Sequence, residues 1–249
     1  MFELENTLYS DPRLVDVYDL LNAGDWDFAF YAEQIGKQPR RVLDLGCGTG
    51  TFALRLAAEG HSVVGVDPSS TMISYAQRRP GATEVQWIAG DVRRAPNRVP
   101  FDVVTMTGHA FQCLLTDDDV LATLRTSREL LGAGGRFMFE TRNPSVRPWI
   151  AWTPALSARS IQSKEHGHVD VFHECIEVAE PLVELETHYV FRRDDTCRIS
   201  RSQLRFMCRE ELASAIRAAG FRDVEWFGNW EGGPFREASS PEIIAICRT

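Results

Sequence analysis

From Arg41 onward the chain alternates short apolar runs with amphipathic stretches, the pattern of strands buried on both faces and helices buried on one. Arg41 to Leu45, Ser62 to Val66, Val85 to Ala89, Phe101 to Met106 and Arg136 to Glu140 are predicted strands, and helices fill the gaps between them. The first helix runs from about Thr51 to Glu59 and stops at Gly60; the second starts near Ser70 and stops before Pro80-Gly81. A third has Thr116 as its cap, Asp117, Asp118 and Asp119 on its first turn, an apolar stripe of Leu121, Leu124 and Leu131, and Gly132 as its stop. Such alternation predicts a doubly wound α/β domain with a mostly parallel sheet. Upstream, Asp11 to Ile35 holds two helical stretches rich in aromatic residues.

Beyond Glu140 the period changes. His168 to Val178, Leu182 to Arg192 and Cys197 to Phe206 alternate in twos between turn signals, which predicts an antiparallel β insertion. A last helix, Glu210 to Ala219, ends at Gly220, although Cys208 stands where a capping hydroxyl is usual. Strands near Val224 to Gly228 and Glu242 to Cys247 close the chain. The domain reading is a helical cover over 1–40, the main domain over 41–144 and 207–249, and the antiparallel insertion over 145–206.

The first strand runs into Gly46, Cys47, Gly48, Thr49 and Gly50. Glycines there permit positive φ and close approach of bare backbone to a bound molecule. Asp67, at the end of the second strand, is placed to accept hydrogen bonds from vicinal ribose hydroxyls. A dinucleotide turn needs its third glycine at position 51, which is Thr51, and no Lys-Ser/Thr pair follows the loop to meet a triphosphate. An NAD-dependent oxidoreductase is thereby disfavoured.

The run VLDLGCGTG over 42–50, with Asp67 and the later motifs in order, resembles motif I of the class I S-adenosylmethionine-dependent methyltransferases, in a small-molecule type with an antiparallel lid insertion. The resemblance implies a Rossmann-like seven-stranded sheet whose last strand is antiparallel, the donor S-adenosylmethionine and the product S-adenosylhomocysteine. It places Gly46, Cys47, Gly48 and Gly50 against the methionine moiety, Asp67 on the ribose, and Asp91 with the Val92 amide on the adenine. Pro68 and Met72 flank that ring, Asp44 reaches toward the ammonium, and Thr107 with Gly108 lies under the sulfonium. Tyr18, in VYDLLN, matches a tyrosine that folds over the cofactor. His109, after the fourth strand, is the candidate for positioning the acceptor or removing its proton, and Glu140 and Arg142 are placed to line the same pocket. Trp230, in GNWEGGPF, belongs either to a loop closing on the pocket or to the packing of the sheet edge.

The formal charge of −8 opposes nucleic-acid binding and favours a small-molecule methyl acceptor. No signal peptide or membrane span is read from the sequence, which predicts a cytoplasmic protein, monomeric or homodimeric, without membrane or nucleic-acid partners. The six cysteines lack a C-x-x-C pair and read as reduced thiols. No metal is expected: the aspartates at 117–119 suit a helix start, and His166, His168, His173 and Glu174 lack ligand spacing. The alternative to an enzyme is a cofactor-binding protein that has lost its acceptor site.

Overall fold

A computed structural model describes residues 7–249; residues 1–6, part of the expected helical cover, lie outside the described residues. Two helices come first, α1 (Pro12–Leu21) and α2 (Trp26–Ile35). Then β1 (Arg41–Leu45), α3 (Thr51–Ala58), β2 (Ser62–Asp67), α4 (Ser70–Ala76), β3 (Val85–Ala89), β4 (Phe101–Met106), α5 (Asp117–Leu130) and β5 (Leu131–Arg142) alternate. A short helix, α6 (Pro154–Ser157), leads into β6 (Arg159–Ser163), β7 (Gly167–Ala179), β8 (Leu182–Phe191) and β9 (Thr196–Arg205). The chain ends with α7 (Arg209–Ala218), β10 (Asp223–Phe227) and β11 (Glu242–Arg248). No helix among the described residues is long and apolar enough to cross a membrane.

The main sheet has the order β10-β11-β5-β4-β1-β2-β3, with β11 antiparallel to both of its neighbours. Strand order reverses between β1 and β4, so their carboxyl ends part and leave a crevice there. Alternation along each strand feeds two cores. Leu43, Val64 and Val104 pack with Leu124 and Ile216 on one face, and Val42, Val63 and Val103 pack with Phe52, Leu56 and Tyr31 on the other. The helix starts follow their side chains. Thr116 and Asp119 form a capping box, and Cys208, in spite of its thiol, heads α7 because its backbone N–H donates to Glu211 Oε2 at 2.7 Å.

Three expectations need correction. Gly132 does not stop α5: the helix passes directly into β5 at Leu131, and the positive φ falls on Gly134 instead. Accordingly β5 is longer than the apolar run Arg136 to Glu140, because pairing with β4 begins at Leu131 ahead of a glycine-rich stretch and pairing with β11 runs on through Thr141 and Arg142. The strand β6 was not expected, since Arg-Ser-Ile-Gln-Ser has little apolar alternation; its pairing with β7 makes it a strand.

The second sheet, in the order β6-β7-β8-β9, is antiparallel throughout. Its inner face presents Val169, Val171, Tyr189 and Phe191 to Leu14, Val17 and Leu21 of α1. The segment before α1 is tied in turn to the start of α4, where Ser69 Oγ donates to Tyr9 O and Thr71 Oγ1 donates to Ser10 O. One amphipathic helix therefore joins the second sheet to the rim of the crevice.

Candidate active site

The glycine loop is held at the crevice by its own backbone: the N–H groups of Gly46 and Cys47 both donate to Val66 O, at 2.8 and 3.1 Å. Gly48 has φ +52°, and a Cβ there would meet nothing within 4 Å, so its missing side chain leaves open space over the loop. Gly50 departs from its expected place against the donor. It heads α3 in the left-handed region at φ +81°, and a Cβ would strike Trp87 at 2.4 Å; it lines neither of the cavities described below and serves packing.

Asp67 receives the Gly48 N–H on Oδ2 at 2.9 Å and the Ser69 N–H on Oδ1 at 2.8 Å, which fixes the carboxylate while each oxygen keeps further accepting capacity. Burial raises its pKa against those two hydrogen bonds. Asp44 is not on the cavity wall but behind it, 1% exposed. Its Oδ1 accepts from Thr105 at 3.0 Å, its Oδ2 is buried with no partner, and burial pushes its pKa up to about 7.

Two cavities open above the carboxyl ends of the strands. The first, about 460 Å³, is lined by Asp67, Pro68, Met72, Asp91 and Val92. The second, about 480 Å³, is lined by Cys47, Trp26, Asp27, His109, Arg142 and Arg159. Tyr18, Gly46, Gly48, Thr107 and Gly108 belong to the walls of both. The structure thus gathers most of the residues singled out above into one two-chambered cleft, although Cys47 falls on the second chamber. Asp91 is at the rim of the first, its carboxylate already paired with Arg93, which lowers its pKa.

His109 stands at φ +59° on the floor of the second chamber. Its backbone N–H donates to Glu140 Oε1 at 2.6 Å, and its Nε2 lies 2.9 Å from Glu242 Oε2. Tyr31 Oη donates to Glu140 Oε2 at 2.5 Å. Burial, with Arg142 nearby, pushes the His109 pKa down to about 3, so the imidazole is neutral; burial lifts Glu140 and Glu242 to about 7. Glu242 escaped the sequence reading, since a charged residue opening an apolar strand gives no sign of the loop it will face across β5. Tyr31 was legible only as an aromatic residue of a helix.

Trp230 is half-buried, packs edge-on to Phe30 and Tyr31, and lines neither chamber. The histidines of the insertion go separate ways: His166 to Asp16, His168 to Asp170, and His173 to Thr187. Among the described residues, Asp16, Glu165 and His166 converge, as do Glu174, Glu186 and His188.

Residues 42–135 match the family model described as a methyltransferase domain. The chain is 29% identical over 200 residues to a protein of Geobacillus sp. (strain WCH70) named as a methyltransferase, covering 78% of each chain. It is 31% identical over 139 residues to the cypemycin N-terminal methyltransferase of Streptomyces sp., covering 54% of this chain and 57% of that one. Residues 42–135 thus carry a methyltransferase domain, and these matches support a class I S-adenosylmethionine-dependent methyltransferase. An amino pentose methyltransferase from Micromonospora echinaspora, solved with S-adenosylmethionine bound, has the same fold, with TM-score 0.70, 22% identity, and 94% of this chain and 97% of that one covered.

The methyltransferase's cleft fits that donor. Asp67 stands on the cavity wall with accepting capacity left on both carboxylate oxygens, matched in kind to ribose hydroxyls, and Gly48 leaves room above bare backbone. When bound, the donor supplies a methyl group already activated on a sulfonium. Alignment of an acceptor behind that methyl group is the protein's task, and such alignment is worth roughly 7–11 kcal/mol.

Proposed function

We propose that this methyltransferase moves the methyl group to a nitrogen or oxygen of a small molecule held in the second chamber, with the adenosine end of the donor in the first. The observation that carries the reading is the shared wall: Tyr18, Gly46, Gly48, Thr107 and Gly108 border both chambers, so a group on one side faces a group on the other. A volume of about 480 Å³ suits a small molecule or a chain end.

In this reading Asp67 holds the ribose hydroxyls, Val92 N–H and Asp91 meet the adenine, and Pro68 and Met72 flank it. The backbone of Gly46, Cys47 and Gly48 contacts the methionine moiety, Thr107 lies near the sulfonium, and Tyr18 divides the chambers. His109 orients the acceptor. A group with pKa about 3 is a weak base, so its value is as a neutral hydrogen-bonding partner. Glu242, titrating at about 7 and 2.9 Å from His109, is the nearby group suited to receive a proton. The segment 1–40 acts as a cover and 145–206 as a lid, a reading supported by the packing of α1 under the second sheet.

Calorimetry with S-adenosylhomocysteine tests the first half, with micromolar binding as the expected result and no binding at millimolar concentration as the result against it. The second half is tested by turnover, read as S-adenosylhomocysteine release, over small amines and hydroxyl compounds. Methylation confined to macromolecular acceptors would overturn it.

A further inference from the structure

Arg142 ends β5 and Arg159 opens β6, and both reach the second chamber from elements other than those assigned to the donor. Arg142 Nη1 donates to Gln112 Oε1 at 2.9 Å, and its guanidinium lies 5.7 Å from the Trp152 ring centre. Both are neutral partners. Gln112 is 1% exposed and is pinned by its own Nε2 to Arg205 O at 3.1 Å, so it fixes where Arg142 points. Arg159 Nη1 donates to Leu21 O at 2.7 Å. Among the described residues neither arginine makes an ion pair, whereas Arg13, Arg79, Arg192 and Arg201, for example, do.

The carboxyls near them have other hydrogen-bond partners, while burial lowers the Arg142 pKa and the charges of Glu242 and Glu140 raise it. Asp19 pairs with Arg79 at 3.0 Å, Glu140 accepts from Tyr31 and His109, and Glu242 faces the His109 ring. Asp27 accepts from the Phe28 N–H, and burial raises its pKa. On the other side of the arginines stands His173, bonded to Thr187; burial together with Arg159 and Arg142 pushes its pKa down to about 4. Two guanidinium groups thus reach one chamber with neutral hydrogen-bond partners; partly buried Arg142 carries a desolvation cost that an anion relieves, and exposed Arg159 adds a second positive charge. Guanidinium forks match carboxylate and phosphate oxygens in geometry as well as in charge.

We propose that Arg142 and Arg159 together recognise an anionic group, a carboxylate or a phosphate, carried by the methyl acceptor. This rests on the reading of the second chamber as the acceptor's. It makes the preferred substrate an anionic or zwitterionic small molecule, oriented by its acid group so that its nitrogen or oxygen faces the shared wall at Thr107 and Gly108.

The test uses the full chain labelled with ¹⁵N-arginine and saturated with S-adenosylhomocysteine, or with 5′-methylthioadenosine, which lacks the donor's carboxylate. Acetate and inorganic phosphate are titrated against chloride at equal ionic strength, and the arginine Nε–Hε resonances are followed. With S-adenosylhomocysteine bound, saturable shifts are expected at Arg142 and Arg159, weakened at least tenfold in Arg142→Gln and in Arg159→Gln. The tighter of the two anions names the acid. Exposed Arg159 keeps the test open should the Arg142 variant fold poorly. No saturable shift in that complex overturns the proposal. So does a shift seen with 5′-methylthioadenosine but abolished by S-adenosylhomocysteine, because the arginines would then serve the donor's own carboxylate. Failure of S-adenosylhomocysteine to bind at all is a separate readout, and it removes the reading of the cleft along with this one.

Discussion

At the scale of single residues, the cleft is governed by what already occupies each carboxylate. Asp67 is fixed by two backbone donors and faces the first chamber, whereas Asp91 is half-buried at the rim and spends its charge on Arg93. Hydrogen bonds to an ionised group are worth about 1.5–3 kcal/mol. Asp67→Asn is therefore expected to weaken S-adenosylhomocysteine binding roughly ten- to a hundredfold, and Asp91→Asn less than tenfold, both read by calorimetry. Equal losses in the two variants would contradict the assignment. The motif residues were legible because chemistry demands particular types at the tips of β1 and β2. His109 was legible as a candidate, but its neutral state was not, because that depends on burial and on Arg142 and Glu140, far away in the chain.

Among the elements, the glycine loop shows two uses of one residue type. Gly48 opens onto the cleft, and Gly50 begins a helix against Trp87. Gly48→Ala is expected to reduce donor affinity more than stability. Gly50→Ala is expected to cost about 1–3 kcal/mol in urea denaturation, through left-handed strain and the clash with Trp87. Binding by the Gly50 variant's folded fraction should be nearly normal. Most strands and helices were readable from periodicity, since a period of 2 or 3.6 is imposed by burial on one face. The starts of β5 and β6 were not, because pairing partners rather than apolar alternation make those residues strands.

For the whole molecule, the second chamber exists because α1, the second sheet and the end of β5 meet over the crevice. Leu14 of α1 is fully buried against that sheet, so Leu14→Ala is expected to cost about 2–5 kcal/mol. Hydrogen exchange should then quicken in α1, β7 and β8 together; loss confined to α1 would show that the helix is not what seats the sheet. A second whole-molecule property is pH dependence. Asp44, Glu140 and Glu242 are all raised to about 7, above their unfolded values, so they bind more protons in the native state and their stabilising contribution is lost as pH rises through 7. His109 and His173, lowered to about 3 and about 4, act oppositely, but only below about pH 6.5. Without donor, the urea midpoint should fall between pH 6.5 and 8, by about 1 kcal/mol per carboxyl, and Glu242→Gln should flatten the fall. A midpoint constant across that range would contradict the burial of these groups.

The order of most elements was determined by the sequence alone, because burial sets periodicity, and the enzyme class was legible in the resemblance of the glycine run to a known motif. Only the tertiary structure decided that Glu242 meets His109, that Gly50 belongs to packing, and that Arg142 and Arg159 reach one chamber with neutral hydrogen-bond partners. Those facts concern groups tens to hundreds of residues apart, whose charge and protonation depend on neighbours that no local pattern names.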